Sequence, residues 1–207
     1  MGKSLKIIFY SVSLLFFCYV QARDSHTKKF MTHQDHLPTL SPDKHWIAFI
    51  HRQKIVLSDD CKGNPYMDDS LVDQLWIYNV KTKKKKLLVN YNFFCDVPEK
   101  MILHIEDMKF SPDSKIIYFQ TGAWLHSDAV HAVNIDGSGE HYLIPGDSID
   151  IIQKGDSKGD LVVSQYRYFV EGGSFIWFWL YTPSGKEEGP IGEDFGAEQR
   201  KIIESIV

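Results

Sequence analysis

Two segments of this chain repeat without a gap at a separation of 70 residues: Leu40-Ser41-Pro42-Asp43 leads into Trp46-Ile47-Ala48-Phe49, and Phe110-Ser111-Pro112-Asp113 leads into Ile116-Ile117-Tyr118-Phe119. A repeat of this kind constrains the fold more than any single segment does. It means that one supersecondary unit is built several times and that each copy hides its apolar face against a neighbour. The turn itself has a physical job. Proline presets φ at a corner, serine and aspartate hydrogen-bond the backbone of the turn, and an apolar, β-branched or aromatic run follows at once as a strand.

The downstream halves match as well. LWIYNVKTKKKKLLV from Leu75 aligns without gaps on VHAVNIDGSGEHYLI from Val130, each copy reading as strand, turn (Lys81-Thr82 or Asp136-Gly137) and strand. The Asp-Gly copy carries the stronger hairpin chemistry. A third copy is degenerate: Asp156-Ser157-Lys158 echoes Asp113-Ser114-Lys115, strands are expected over residues 161–168 and 175–181, and Pro183-Ser184-Gly185 turns the chain back toward Ile191. The expected fold is therefore all-β, with three propeller-type antiparallel sheet repeats near residues 33–90, 102–146 and 148–192. Helix is scarce; the tail, residues 197–207, places Ile202, Ile203 and Ile206 at helical spacing, suited to covering an open sheet edge.

In these segments (LSPDKHWIAF, LWIYNV, FSPDSKIIYF and HAVNIDGSGE) the chain resembles the TolB-like, WD40-like propeller repeats of bacterial envelope proteins, whose units read S-P-D-G-K, an I-A-F strand, an L-W strand and a D-G hairpin. The resemblance implies an architecture and leaves activity open. The chain departs from the pattern where Lys44 and Ser114 stand in place of the glycine after S-P-D, and where the third unit lacks Ser-Pro. Full TolB-like propellers have about six blades, and closed rings have four to eight. Three units leave two arrangements: an open stack with capped ends, which the tail helix favours, or two copies completing a six-unit ring as a homodimer.

The N-terminus reads as a secretory signal. Lys3 and Lys6 precede an apolar stretch over residues 7–20, and Val20-Gln21-Ala22 puts small residues before the expected cut ahead of Arg23-Asp24. The stretch is short for a spanning helix, so no stable membrane insertion is expected once residues 1–22 are removed, and the location is periplasmic or secreted. The remaining residues 23–207 suffice for one domain. The formal charge of −4 becomes more negative without the two lysines, which argues against nucleic acid as a partner. Cys18 leaves with the signal; Cys61 and Cys95 then form a lone pair, read as one disulfide in an oxidising compartment, with two separate buried thiols as the alternative.

Candidate chemistry is sparse. His33, Asp35 and His36, with His26, His45 and His51 nearby, invite a metal, but on an extended strand His33 and Asp35 face one side and His36 the other, and a solvated N-terminal arm accounts for them. The run Lys83, Lys84, Lys85 and Lys86 reads as a wet turn and strand start. Trp124, His126, His131, Tyr166, Arg167, Tyr168, Trp177 and Trp179 concentrate aromatic and polar groups in the second and third units. Core packing of an inner strand is one explanation. The functional one is a ligand or partner groove with Arg167 and His131 as polar anchors, and with Trp124, His126, Tyr168 and Trp177 as its contact residues.

No cofactor or metal is expected, and no G-x-S-x-G elbow is present. The function expected is a binding or interaction module for a protein or cell-envelope ligand. A hydrolase or lyase using loop histidines and carboxylates is the alternative, and it requires His126, His131 and a carboxylate such as Asp128 in one pocket.

Overall fold

The computed structural model describes residues 31–55, 71–94 and 96–205. Within them the chain forms three four-stranded sheets, each a meander in which neighbours in space are neighbours in sequence. The first contains β1 (Asp35–Leu40), β2 (Trp46–Lys54), β3 (Leu71–Asn79) and β4 (Lys85–Val89). The second contains β5 (Ile105–Phe110), β6 (Ile116–Trp124), β7 (Ser127–Asn134) and β8 (His141–Pro145). The third contains β9 (Ser148–Ile151), β10 (Leu161–Tyr168), β11 (Ser174–Tyr181) and β12 (Glu187–Gly192), followed by a helix, α1 (Ala197–Ile203). First strands lie against first strands: β1 touches β5, and β5 touches β9. The sheets thus fan out as successive propeller blades, and among the described residues the first and third do not join into a ring. The degenerate third unit is a complete four-stranded sheet.

The S-P-D segments form near-identical turns. Ser41 Oγ donates to Asp43 Oδ1 at 2.6 Å and accepts the Trp46 N–H at 3.0 Å; Ser111 Oγ donates to Asp113 Oδ1 at 2.7 Å and accepts the Ile116 N–H at 3.0 Å. The residue after aspartate has positive φ in both, 62° at Lys44 and 61° at Ser114. This is the left-handed conformation in which glycine is the unstrained residue, so the repeat pattern's glycine has a backbone reason. Ser114 brings a compensation: its Oγ accepts the Asp43 N–H at 3.1 Å, tying the turn of the first sheet to that of the second.

The middle sheet is covered on both faces. Ile117 and Phe119 of β6 and Val133 of β7 pack against Ile50, Leu75 and Ile77 of the first sheet. The alternate residues Tyr118, Val130 and Ala132 pack against Ile149, Leu161 and Val163 of the third. Period-two alternation therefore puts apolar residues on both sides of β6 and β7, which is why these strands read as nearly continuous hydrophobic runs. Gly146, between β8 and β9, lies tight against β10: a Cβ there would fall 2.1 Å from Val163 Cγ1.

Helix α1 differs from the expected edge cover. It crosses the outer face of the third sheet, with Arg200 paired to Asp150, Glu204 Oε1 accepting the Gln153 N–H at 3.0 Å, and Phe195 against Phe178. Ile202 is 58% exposed, so polar anchors more than an isoleucine stripe hold the helix. Ile206 lies outside the described residues, as do the signal segment and both members of the expected disulfide, Cys61 and Cys95.

Two expectations for the first unit change. Asp35 and His36 belong to β1 and not to a solvated arm. Asp35 accepts from His51 Nδ1 at 2.6 Å and pairs with Lys85 at 3.4 Å, so it serves the first sheet. The lysine run is wet at the turn, but Lys83 and Lys85 extend over the rings of Tyr78 and Phe49 and cover apolar surface with their stems.

Candidate functional site

Strand direction gives the fan two unlike ends. In each meander the first-to-second and third-to-fourth turns fall at one end, and the second-to-third hairpins and sheet-to-sheet connections fall at the other. The first end, the turn end, carries the S-P-D turns, Asp136, Glu140 and the lysines. Its neighbouring sheets are joined by polar contacts such as Lys86 Nζ to the Asp136 carbonyl. The hairpin end carries Phe94, Leu125, Tyr168, Phe169, Val170 and Ile176, six of the nine large apolar residues that are strongly exposed among the described residues. Val170 is fully exposed, Leu125 81%, Tyr168 67% and Phe169 55%.

Much of this surface belongs to an arm. β9 pairs with β10 only as far as Ser164, and β12 pairs with β11 only from Phe178 onward. The β10–β11 ladder continues through Gln165↔Trp177, Tyr166↔Ile176, Arg167↔Phe175 and Tyr168↔Ser174 before the Phe169–Gly173 loop. A bare two-stranded ribbon is marginal in water, and this one is braced at its root. The Arg167 guanidinium lies 3.4 Å from the Trp179 ring centroid and donates to Gln165 Oε1, to Tyr181 Oη at 2.7 Å and to Glu187 Oε2 at 2.6 Å. Tyr166 stacks on His126 at 5.5 Å, joining the arm to the β6–β7 hairpin.

The structure divides the six site residues expected from sequence. His131 is 1% exposed on the face of β7 toward the first sheet, stacked on Phe119. Its Nδ1–H donates to Glu140 Oε1 at 2.9 Å, and its Nε2 contacts Thr121 Oγ1 at 3.3 Å. Trp124 meets Tyr142 edge-on at 6.2 Å, and Tyr142 meets His131 at 6.0 Å, so these two belong to one ring cluster between sheets. Burial, with Glu99 nearby, pushes the Tyr142 hydroxyl up to about 12. Arg167 is bound up in the arm's own bracing, so neither it nor His131 is a free polar anchor. His126, Tyr168 and Trp177 remain at the hairpin end; Trp177 packs on Phe175 at 5.3 Å, and Phe175 on Phe169 at 4.5 Å.

Asp128 and His131 lie three residues apart on β7 and hence on opposite faces, so His126, His131 and Asp128 share no pocket. Asp128 sits instead in a carboxylate group beneath the hairpins. Asp147 accepts its backbone N–H at 3.2 Å and also accepts from Ser127 and from the Tyr166 backbone. Burial, then the charges of Glu106 and Asp147, push the Asp128 carboxyl up to about 6.

The exposure of Leu125, Phe169 and Val170 was not read from the sequence, yet a signal existed. Two consecutive apolar residues, Phe169-Val170, directly precede Glu171-Gly172-Gly173 in a hairpin loop, where polar residues are the norm.

No family model and no curated protein matches the sequence. Its neighbours among solved structures include a β-propeller domain, TolB and peptidases. The β-propeller domain of the trilobed protease from Pyrococcus furiosus shares 16% identity over 75% of this chain and 43% of its own, at a TM-score of 0.45. TolB from Acinetobacter baumannii shares 14% over 76% of this chain and 32% of its own, at 0.46. Dipeptidyl peptidase 4 of Porphyromonas gingivalis shares 16% over 78% and 24%, at 0.47. The chain spans less than half the length of each. At these identities the likeness concerns the fold alone, and the fold assignment rests on the three stacked meanders themselves.

Proposed function

We propose that the protein is an exported, non-catalytic binding module that engages a protein or another cell-envelope ligand through its hairpin end. One observation carries this reading: exposed large apolar side chains gather on adjacent hairpins at one end of the fan, around His126, Tyr168 and Trp177, while the other end, apart from Leu40, is polar. Apolar surface concentrated in this way marks an interaction site more often than chance exposure does. Export is supported by the signal-like residues 1–22, with Cys61 and Cys95 proposed as a disulfide in that compartment. The fan is proposed to act as an open, capped unit spanning residues 23–207, because α1 lies across the outer face of the third sheet, where a blade of a second copy would stack. The hydrolase or lyase reading is the weaker one, since His131 and Asp128 face opposite sides of the middle sheet.

Affinity capture from an envelope extract tests the proposal with three proteins: wild type, Leu125→Ser/Phe169→Ser, and a turn-end control, Lys44→Glu/Lys115→Glu. A saturable partner retained by the control and lost by the hairpin variant is expected. Retention by the hairpin variant, or loss only in the control, contradicts it.

A further inference from the structure

The arm offers more than side chains. Ser164 accepts the Asp147 N–H through its carbonyl at 2.8 Å, so the backbone groups of Ser164 point away from β11 and the pair Ser164↔Phe178 is not hydrogen-bonded across the ladder. In an antiparallel ladder this alternates strictly, so Tyr166↔Ile176 and Tyr168↔Ser174 share the property. On the β10 side the outward N–H of Tyr166 is taken by the Asp147 carboxylate. On the β11 side β12 stops at Gly192, opposite Phe178, and the outward N–H and C=O groups of Ser174 and Ile176 have no partner among the described residues. β11 therefore has a short free edge with apolar side chains on both faces: Phe175 and Trp177 on one, Ile176 on the other.

The charges around this edge are of one sign. At the base the chain leaves β11 after Gly192 and turns under the sheet to Phe195, which puts the exposed Glu193 and Asp194 beside the edge. At the tip stands the exposed Glu171, with no ion pair among the described residues. The cations near the edge among the described residues are already committed, Arg167 to Glu187 and Arg200, over the Phe195 ring, to Asp150. Acidic groups at both ends disfavour self-pairing of two such edges, which would bring like charges together, and favour a strand carrying the opposite sign.

We propose that β11 accepts an added strand along Ser174–Trp177, and that its occupant is an extended peptide segment alternating apolar and basic residues. Main-chain hydrogen bonds to Ser174 and Ile176 supply the pairing. The apolar side chains continue the Trp177 or Ile176 face, and lysine or arginine meets Glu171 at one end and Glu193 at the other. This rests on the hairpin end being the contact surface, and it names the class of partner that surface takes.

The test uses the whole chain and three short blocked peptides: alternating lysine and valine, alternating glutamate and valine, and the lysine–valine peptide N-methylated at every second residue. The lysine–valine peptide is expected to bind and to slow amide exchange at Ser174 and Ile176. The other two should bind about tenfold more weakly or not at all, since one repels the acidic rim and the other lacks the donors. Ile176→Pro removes an outward N–H outside the arm's own ladder and should abolish binding. Glu171→Lys/Glu193→Lys should invert the preference between lysine and glutamate peptides even if the proline variant folds poorly. Absence of binding by every peptide, equal binding by all three, or exchange at Ser174 and Ile176 already slow in the free chain overturns the proposal. If the peptides fail while partner capture still depends on Leu125 and Phe169, strand addition falls and the contact surface stands; loss of both dependences removes the two together.

Discussion

The turn end and the hairpin end of the fan are made by the same strands and look nothing alike. At the turn end, repeated residues satisfy one another: Ser41 with Asp43, Ser111 with Asp113, Ser114 with Asp43 of the first turn. At the hairpin end, residues that do not repeat project apolar and aromatic groups into water. The contrast teaches that in this chain repetition marks scaffold, and that the proposed contact surface lies where the repeat is broken. A repeated turn must do the same mechanical work in each blade, whereas a binding surface is needed once.

The sharpest challenge to this division is Asp73, a scaffold group at the hairpin end. Its carboxylate is fully buried, pairs with Arg52 through two contacts at 2.8 Å and accepts the Ile105 N–H at 3.0 Å, joining the first and second sheets. Asp73→Ala leaves the buried Ile105 N–H without its acceptor and removes both contacts to Arg52, and should cost about 3 kcal/mol in denaturant unfolding. A cost under about 1 kcal/mol would mean that this end contributes little to the fold.

Ser111→Ala comes next. It removes the side chain that donates to Asp113 and accepts from Ile116 in a buried turn, and about 2 kcal/mol of destabilisation is expected. Phe169→Ser, by contrast, should stay within about 0.5 kcal/mol. Equal effects from these two substitutions would erase the distinction between the ends.

Asp128 gives the comparison a pH dependence. Its folded carboxyl titrates near 6 against an ordinary value of 3.8, so the folded state holds the proton more tightly than the unfolded one. The stability this contributes is fully present below the ordinary value and is lost as pH rises through about 6. Unfolding midpoints between pH 4 and 7 should carry this downward component in wild type and lack it in Asp128→Asn, and indistinguishable slopes would contradict the carboxylate grouping.

The smallest effect concerns the left-handed positions. Lys44→Gly relieves a strained φ without losing any hydrogen bond from its side chain and should stabilise by about 0.5 kcal/mol. Ser114→Gly relieves the same strain but forfeits the acceptor for Asp43 N–H, and should be neutral or mildly destabilising. Thermal unfolding of the pair distinguishes them, and identical shifts would argue against the inter-turn bond.

These cases show what could be read in advance. The two S-P-D turns, the three meanders and the strand at residues 161–168 followed from local turn chemistry and period-two patterning, which act over a few residues. The aromatic run Phe175-Ile176-Trp177 was visible as an unusual surface. Which face each member takes was not, because that depends on where β9 and β12 stop. The surroundings of His131 and Arg167 were hidden for the same reason: their partners Glu140, Thr121, Tyr181 and Glu187 lie elsewhere along the chain, and pairing across a sheet leaves no mark in local sequence. Asp73 gave no signal at all, since an aspartate at a strand start ordinarily faces water.

Hydroxyl-radical footprinting, comparing the purified chain with the chain in the intact envelope, tests the assignment of contact to the hairpin end most directly. Tyr168, Phe169 and Trp177 should oxidise readily when purified and be shielded in the envelope, while His45 and His141 at the turn end react equally in both. Shielding of His45 and His141, with Tyr168 and Phe169 unchanged, would place the contact surface at the wrong end of the molecule and contradict the account.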